Sequence, residues 1–309
     1  MPNQSPHLSA LVPRTSFYRG RFAPSPTGPL HFGSLIAAVG SYLDARSQGG
    51  EWWVRIDDID PPREVKGAAD DILKTLARFG FEWDGPITYQ SLRYELYHDA
   101  IQTLIEAGLA YPCACSRKEI VTSQHSTNIY PGHCRNGLPA GKKGRLLRVN
   151  TAHTVIRFND GLFGPCQYDL DKEIGDFIIH RADGLYAYQL ATAVDDAEQG
   201  MTHVVRGCDL LDSTPRQIFL QQALQLAVPA FTHLPVAVDA SGQKLSKQNL
   251  APSLVQRPAS FQLWNALAFL GLNPPAELKM DPLTTIWQWA IDAWPNNTIP
   301  KQKHIIYEP

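Results

Sequence analysis

A proline-rich turn between a predicted strand and a predicted helix constrains this chain more than any other feature. Residues 17–22 predict a strand, and apolar residues recur at helical spacing from about Gly33 to Arg46. The segment between them, 23–29, contains three prolines and one glycine, which predict a stiff turn. A helix that follows such a turn presents unpaired backbone N–H groups and the positive end of its dipole. We therefore expect an anion-binding site at residues 30–34.

Alternating strand and helix patterns along the rest of the chain predict an α/β fold. Residues 52–56 form a second predicted strand, and helices are predicted at 65–79 and 94–107. The later predicted strands are 176–180, 185–194, 203–205 and 233–238, and the later helices are 215–225, 261–270 and 283–293. This order is typical of a doubly wound, Rossmann-like parallel sheet, which binds nucleotides at the carboxyl ends of its strands.

A change of composition after residue 110 divides the sequence into four predicted segments. Residues 1–110 would form the first half of a Rossmann-like domain and 176–250 its second half. Between them, 111–175 is rich in Cys, Gly, Pro and basic residues, so we expect an inserted domain that is irregular up to about residue 167. Residues 251–309 predict a short helical C-terminal region.

The charge balance excludes a protein that attracts nucleic acid over its whole surface. The sequence has 28 Lys and Arg against 30 Asp and Glu, a net charge of -2. Any RNA contact must be local, and residues 131–150 hold five basic residues without an acidic one: Arg135, Lys142, Lys143, Arg145 and Arg148. A solvated loop is the alternative for this segment. Without an apolar run of membrane-spanning length or a secretory signal in residues 1–14, we expect a cytoplasmic protein with no membrane partner.

Three clustered cysteines indicate a structural zinc site. Cys113, Cys115 and Cys134 together with Tyr130 offer three thiolates and a phenolate, which can complete a tetrahedral set. His133 or His125 is the alternative fourth ligand. Free thiols without a metal are the other alternative, although such clusters in cytosolic chains usually bind metal or catalyse.

Two separate motifs supply groups that can bind phosphate. His31 can donate to phosphate oxygens, and Gly33 leaves space for a nucleotide to approach the helix N-terminus. The loop 242–248 adds two point charges, Lys244 and Lys247. Neither the dinucleotide fingerprint nor the Walker motif is present, so those two nucleotide sites are disfavoured.

These motifs occur together in a known family. Residues 21–34, RFAPSPTGPLHFGS, resemble the HIGH signature of class I aminoacyl-tRNA synthetases in its glutamyl and glutaminyl form. Residues 244–248, KLSKQ, resemble the KMSKS loop of that class. Three further blocks, 54–60, 194–196 and 203–207, are similar to blocks of glutamyl-tRNA synthetases in the same order, so the resemblance covers about residues 17–250. The chain departs from the signatures at Ser34 and Gln248.

The resemblance implies a glutamate site. It nominates Arg21 and Arg206 for the two carboxylates, and a guanidinium forks onto a carboxylate through two hydrogen bonds. It also places Tyr188 beside the substrate and Asp57, where the family usually has Glu, near the ammonium. The turn residues expected near the side-chain carboxylate are Phe22, Ala23, Pro24 and Ser25. The alternative is that Arg21 and Arg206 pair internally with Asp57, Asp58 or Asp60 and that Tyr188 only packs.

The resemblance further implies the reaction. ATP with Mg²⁺ would activate L-glutamate, with His31 and Lys247 countering charge on the phosphates. Only 61 residues follow Gln248, too few for the anticodon-binding region of ordinary glutamyl-tRNA synthetases. A shortened subgroup that shares the Cys-x-Cys insertion, the glutamyl-queuosine tRNA(Asp) synthetases, activates glutamate without tRNA and transfers it to the queuosine base of tRNA(Asp). We expect that activity in a monomer. The alternatives are a short synthetase that charges the tRNA 3′ end and a silent RNA-binding paralogue.

Overall fold

Parallel strands build the centre of the computed structural model. The structure describes residues 17–116, 118–120, 129–245, 254, 257–296 and 298–307. Within these ranges the strands are β1 Arg19–Phe22, β2 Glu51–Ile56, β3 Thr88–Tyr89, β4 Ala110–Cys113, β5 Leu146–Val149, β6 Val155–Asp160, β7 Gly164–Asp169, β8 Ile178–His180, β9 His203–Gly207, β10 Ala230–Leu234, β11 Val236–Val238 and β12 His304–Ile306. The helices are α1 Phe32–Arg46, α2 Ala68–Arg78, α3 Tyr94–Glu106, α4 Leu170–Glu173, α5 Tyr188–Glu198, α6 Thr214–Ala223, α7 Ala259–Phe269 and α8 Leu283–Ala293. In the part of the chain described, none of the helices has the length and apolar character needed to cross a bilayer.

The two predicted halves of the sheet meet along β1. Strand β1 pairs in parallel with β2, and β2 with β3, while β9 pairs in parallel with β10. Thr202, which precedes β9, donates its backbone N–H to the Arg19 carbonyl at 2.9 Å. The last residues of β1, β9 and β10, Phe22, Gly207 and Leu234, lie around one cavity.

The inserted region contains regular structure from residue 146 onward, so the expectation of an irregular segment up to about residue 167 is wrong for that part. Strands β4, β5 and β8 form an antiparallel sheet. Strands β6 and β7 form an antiparallel hairpin, and Asp160 of β6 pairs with Phe231 of β10. The architecture is thus α/β with mixed sheets. The composition of 111–167 misled the prediction because short strands with exposed faces need few apolar residues.

One predicted strand is a helix. The segment predicted as a strand at 185–194 instead contains the start of α5, Tyr188–Glu198. Nearly every residue of α5 after Gln189 is buried, so its sequence lacks the apolar stripe by which a surface helix is recognised. The predicted strand 233–238 is also divided in two at Pro235, whose nitrogen carries no hydrogen for a ladder bond.

The C-terminal region packs against the first helix. Helices α7 and α8 contribute Leu263, Leu267 and Ile286 to the same apolar core as α1. Strand β12 pairs in parallel with β11, and the Tyr307 ring stacks on Phe32 with centroids 3.8 Å apart. The last described residues therefore stabilise the helix N-terminus that carries the predicted anion site.

Candidate functional site

A cavity of about 620 Å³ opens at the carboxyl ends of β1, β9 and β10. Ten of the predicted site residues line it: Arg21, Phe22, Ala23, Pro24, Ser25, His31, Gly33, Tyr188, Arg206 and Lys244. Asp57 is not among the lining residues, and Lys247 lies outside the described residues. Residues that are far apart in sequence thus converge on one space large enough for a small substrate and part of a nucleotide.

The predicted anion site lies at the N-terminus of α1. His31 is the N-cap, and its Nδ1 accepts a hydrogen bond from the Ser34 backbone N–H at 3.3 Å. Its Nε2 lies 3.2 Å from the Ser34 hydroxyl. Since Nδ1 accepts, Nε2 carries the hydrogen in the neutral ring. Ser34, which replaces the second histidine of the signature, therefore orients the first one.

Gly33 brings the two signature motifs together. A Cβ added at Gly33 would lie 3.1 Å from His31 Cε1 and 3.2 Å from the Leu245 carbonyl oxygen. The first part of the lysine loop is thus adjacent to the helix N-terminus. Lys244 also pairs with Asp209, another residue that lines the cavity.

Arg21 is buried and its charge is already matched. Its Nε and Nη2 each lie 3.1 Å from an oxygen of Asp196. The alternative, that Arg21 pairs with an aspartate inside the protein, is therefore correct. The partner is Asp196, however, and not Asp57, Asp58 or Asp60. One edge of the guanidinium is used by this pair, and the side chain still lines the cavity.

Arg206 is buried without a carboxylate partner among the described residues. Its Nε donates to His233 and its Nη2 to Thr214, and both acceptors are neutral. Its Nη1 is buried and has no hydrogen-bond partner in the described part of the chain. Burial lowers the pKa of the Arg206 guanidinium, and the nearby charges of Asp196 and Asp209 offset this loss of water only in part. An orphaned, buried donor at a cavity wall fits a carboxylate ligand.

Asp57 belongs to a buried charge network behind the cavity. Its Oδ1 accepts from Arg55 Nε at 2.7 Å, and its Oδ2 is buried without a partner in the described residues. Burial raises the pKa of this carboxyl to about 6, in spite of the adjacent Arg55. Arg55 also donates to Asp196 at 2.7 Å. The network therefore connects the Asp57 carboxylate to the Arg21 ion pair.

Sequence reasoning assigned no role to Arg55 and Asp196, although both lie inside family-like blocks. Arg55 is 1% exposed at the centre of the network, and Asp196 joins it to Arg21. The sequence did contain one signal, because Arg55 lies within the apolar pattern of strand β2. A charged residue is rarely buried unless it is paired, so this position indicates a buried ion pair.

The predicted zinc ligands lie together. The sulfurs of Cys113, Cys115 and Cys134 all lie within 4.8 Å of one another, and the Tyr130 hydroxyl is 3.3 Å from Cys113 and 3.6 Å from Cys115. The Cys115 and Cys134 sulfurs are 3.7 Å apart. Tetrahedral ligands with Zn–S of about 2.3 Å and Zn–O of about 2.0 Å are about 3.5–3.8 Å apart, so this sulfur pair and the two Tyr130 distances are close to those of a zinc site. His133 is exposed and is not part of this group, and His125 lies outside the described residues.

Two arginines of the basic segment have structural roles. Arg135 pairs with Asp176 and Asp171, and its Nε lies 2.6 Å from Asp176. Arg148 is buried, donates to the Asp176 carbonyl and lies over the Tyr130 ring at 4.0 Å. Arg135 and Arg148 of the predicted RNA-binding segment therefore make contacts within the protein, near the sulfur cluster.

Comparison with known proteins assigns the fold and the motifs to one family. Residues 18–277 match the model of tRNA synthetases class I (E and Q), catalytic domain. The chain belongs to this family. It is therefore an enzyme of the ligase class, and class I synthetases use ATP with Mg²⁺.

Similar proteins of this synthetase family are close to the chain in length. A protein of Dechloromonas aromatica named glutamyl-Q tRNA(Asp) synthetase is 54% identical over 94% of this chain and 98% of its own length. A protein of the same name from Chromobacterium violaceum is 54% identical over 92% of this chain and 96% of its own length. The crystal structure of a glutamate-tRNA synthetase from Elizabethkingia anophelis superposes with a TM-score of 0.77 at 25% identity. That match covers 94% of this chain and 68% of the larger protein.

Proposed function

We propose that this synthetase activates glutamate with ATP in the absence of tRNA and transfers the glutamyl group to the queuosine base at the wobble position of tRNA(Asp). The names of the similar proteins support the acceptor. The observation that carries the glutamate proposal is the buried, unpartnered Nη1 of Arg206 in the cavity that Arg21 also lines.

The proposed glutamate site combines two guanidinium groups with different roles. Arg206 holds one substrate carboxylate through its orphaned Nη1, where charge and hydrogen bonding are both unmatched. Arg21, already paired with Asp196, contributes its remaining N–H groups and a fixed position beside the turn that ends in Ser25. Tyr188, at the start of α5, closes the side of the cavity near Arg206.

Asp57 acts on the ammonium group through its charge and not by direct contact. It does not line the cavity, and the orphaned Oδ2 is available to a bridging water. The shorter side chain, compared with the Glu that the family usually carries, is consistent with this indirect role.

The first step is adenylate formation. The glutamate α-carboxylate attacks the α-phosphorus of ATP and pyrophosphate leaves, so catalysis requires positioning and charge stabilisation. His31 donates from Nε2 at the helix N-terminus, Gly33 admits the nucleotide, and Lys244 and Lys247 add positive charge from the adjacent loop. Mg²⁺ enters with ATP and neutralises phosphate charge.

In the second step a hydroxyl of the queuosine base attacks the acyl carbon of the adenylate. The ester forms, and AMP leaves with the bridging oxygen. A hydroxyl on a modified base is a nucleophile that ordinary tRNA lacks, so the modification itself selects the acceptor. Discrimination against the unmodified tRNA is therefore expected to be large.

Cys113, Cys115, Tyr130 and Cys134 would hold a single structural zinc ion in the inserted domain that we place at 111–175. With four protein ligands the ion would supply structure and not chemistry. Arg148 lies over the Tyr130 ring and supports the negative charge of a phenolate ligand.

Two assays test the proposal in sequence. Glutamate-dependent exchange of pyrophosphate into ATP without tRNA tests activation, and we expect exchange that is abolished in Arg206→Gln and retained in Arg157→Gln, an exposed arginine of the β6–β7 hairpin. Labelled glutamate is then supplied with tRNA(Asp) that contains or lacks queuosine. We expect label only on the queuosine-containing RNA. Equal labelling of both RNAs, or label on the 3′ terminal ribose, would disprove the acceptor, and no exchange would disprove the activation.

A further inference from the structure

Arg206 is held by a chain of buried groups that does not touch the cavity. Arg206 and His233 are register partners on the parallel strands β9 and β10, which places their side chains next to each other. Arg206 Nε lies 3.2 Å from His233 Nε2, and His233 Nδ1 lies 2.6 Å from Asp160 Oδ2. Thr214 completes the arrangement at 2.7 Å from Arg206 Nη2. His233, Asp160 and Thr214 are each at most 1% exposed, and none lines the cavity.

The hydrogen-bond chemistry determines the protonation of this chain of groups. A guanidinium can only donate, so His233 Nε2 accepts from Arg206 and carries no hydrogen, and the Thr214 hydroxyl, 3.0 Å from the same nitrogen, can donate to it as well. The hydrogen of the neutral ring is then on Nδ1, where it is donated to Asp160. Asp160 is fixed in turn, because its Oδ1 accepts from the backbone N–H groups of Leu162 and Phe163 at 3.0 and 2.9 Å.

The two cavity arginines differ in the charge of their partners. Arg21 is neutralised by the Asp196 carboxylate, whereas Nε and Nη2 of Arg206 are satisfied by an imidazole and a hydroxyl. A carboxylate in place of His233 would neutralise Arg206 and weaken its attraction for an anionic ligand. The imidazole satisfies and orients the guanidinium and leaves its positive charge uncompensated. Asp160 keeps its own charge on the far side of the ring.

We propose that His233, held in its Nδ1–H form by Asp160, is a positioning residue that aims the uncompensated guanidinium of Arg206 at a carboxylate of the amino-acid substrate. This inference rests on the proposed function only in taking glutamate as the anion. His233 and Asp160 would thus control the affinity for the amino acid, although they contact neither the substrate nor ATP.

The tautomer is tested directly by long-range ¹H–¹⁵N NMR of the imidazole nitrogens. Wild-type enzyme should show the Nδ1–H form of His233. Asp160→Asn should shift the ring toward the Nε2–H form, because the amide NH₂ can turn toward Nδ1 and donate to it. An Nε2–H ring in the wild-type enzyme overturns the proposal. This measurement needs no substrate, so it is independent of whether the proposed function holds.

The kinetic test separates positioning from folding. In pyrophosphate exchange, Asp160→Asn and His233→Leu should raise KM for glutamate about 10- to 100-fold, while KM for ATP stays within about twofold. His233→Gln should restore most of the affinity, because its amide oxygen can accept from Arg206 Nε. His203→Gln, a matched change at the other end of β9, should leave both constants unchanged.

If KM for glutamate and KM for ATP rise by the same factor, or if His233→Gln does not restore glutamate affinity, His233 has a purely structural role. Urea unfolding of each variant identifies any loss that comes from incomplete folding. If the wild-type enzyme shows no glutamate-dependent exchange, the proposed function fails, and the NMR result still decides the orientation of His233.

Discussion

Arg21 and Asp196 form a two-point ion pair in which Nε and Nη2 of the arginine each lie 3.1 Å from a carboxylate oxygen. Arg55 Nη1 donates to the same carboxylate, at Oδ1, over 2.7 Å. Burial alone would raise the pKa of the Asp196 carboxyl, but the two guanidinium groups outweigh burial and lower it to about 2. A single buried carboxylate thus holds both the cavity arginine and the network behind it.

Asp196→Asn should destabilise the fold and impair activation. The substitution leaves two buried guanidinium groups without their shared anion, a loss of about 3–5 kcal/mol in the free energy of unfolding. Urea unfolding measures this loss. Glu51→Gln, which breaks the half-exposed Arg19–Glu51 pair on β1 and β2, is the control and should cost at most about 1 kcal/mol. Equal losses in the two variants would show that Asp196 is not a shared counterion.

Arg206→Lys should weaken glutamate binding much more than ATP binding. Lysine keeps the charge but loses the planar fork that reaches His233, Thr214 and the cavity together. We expect kcat/KM for glutamate to fall about 10- to 100-fold in pyrophosphate exchange, from the loss of a charged hydrogen bond. An unchanged KM for glutamate would exclude Arg206 from the amino-acid site.

Asp57 should give stability a pH dependence opposite to that of Asp196. Its pKa of about 6 in the folded protein exceeds the ordinary value of 3.8, so the folded state binds the proton more tightly. Its contribution to the free energy of unfolding should therefore fall as the pH rises from about 4 to 6, by up to about 3 kcal/mol, and remain constant above that range. For Asp196, the contribution is present above pH 4 and is lost as the pH falls toward 2.

The Asp57 effect is measured as the difference in unfolding free energy between wild type and Asp57→Asn at several pH values. The asparagine variant should lack the decrease between pH 4 and 6. A difference that is constant across this range would contradict the raised pKa.

Purified enzyme should contain one zinc ion per chain, and removal of the ion should destabilise it. Cys134→Ser should lose the metal, since a hydroxyl is a poor substitute for a thiolate. Tyr130→Phe should keep three sulfurs and bind zinc more weakly. Metal analysis and thermal unfolding with and without a chelator measure these effects. Cys166→Ser, outside the sulfur cluster, is the control, and full zinc content in Cys134→Ser would refute the ligand set.

Gly33→Ala should raise KM for ATP while KM for glutamate changes little. The added methyl group would lie 3.2 Å from the Leu245 carbonyl and 3.1 Å from His31 Cε1, so the lysine loop or the histidine must shift. Pyrophosphate exchange at varied ATP measures the change. An unchanged KM for ATP would show that the close approach of Gly33 to the Leu245 carbonyl has no role in ATP binding.

Ten residues that the sequence predicted for the site line one cavity, whereas two of the predicted strands differ in the structure. His31 and Gly33 were predicted because a stiff turn before a helix has few alternative structures, whereas Arg21 was predicted from the resemblance to the family. Helix α5 was missed because burial on nearly all sides removes the periodicity that marks a helix. Arg55 was overlooked because no local pattern reveals which distant residue pairs with a charge inside an apolar strand.

Sequence alone determined the chemical groups of this protein: the stiff turn and the helix after it, the group of three cysteines and a tyrosine, and the order of the family motifs. Tertiary structure decided which charges are already matched. It pairs Arg21 with Asp196 and gives Arg206 the neutral His233, although both residues are arginines on neighbouring strands. The physical reason is that the strength of a buried charge depends on partners brought together by strand pairing and helix packing, and these contacts span up to 175 residues of chain.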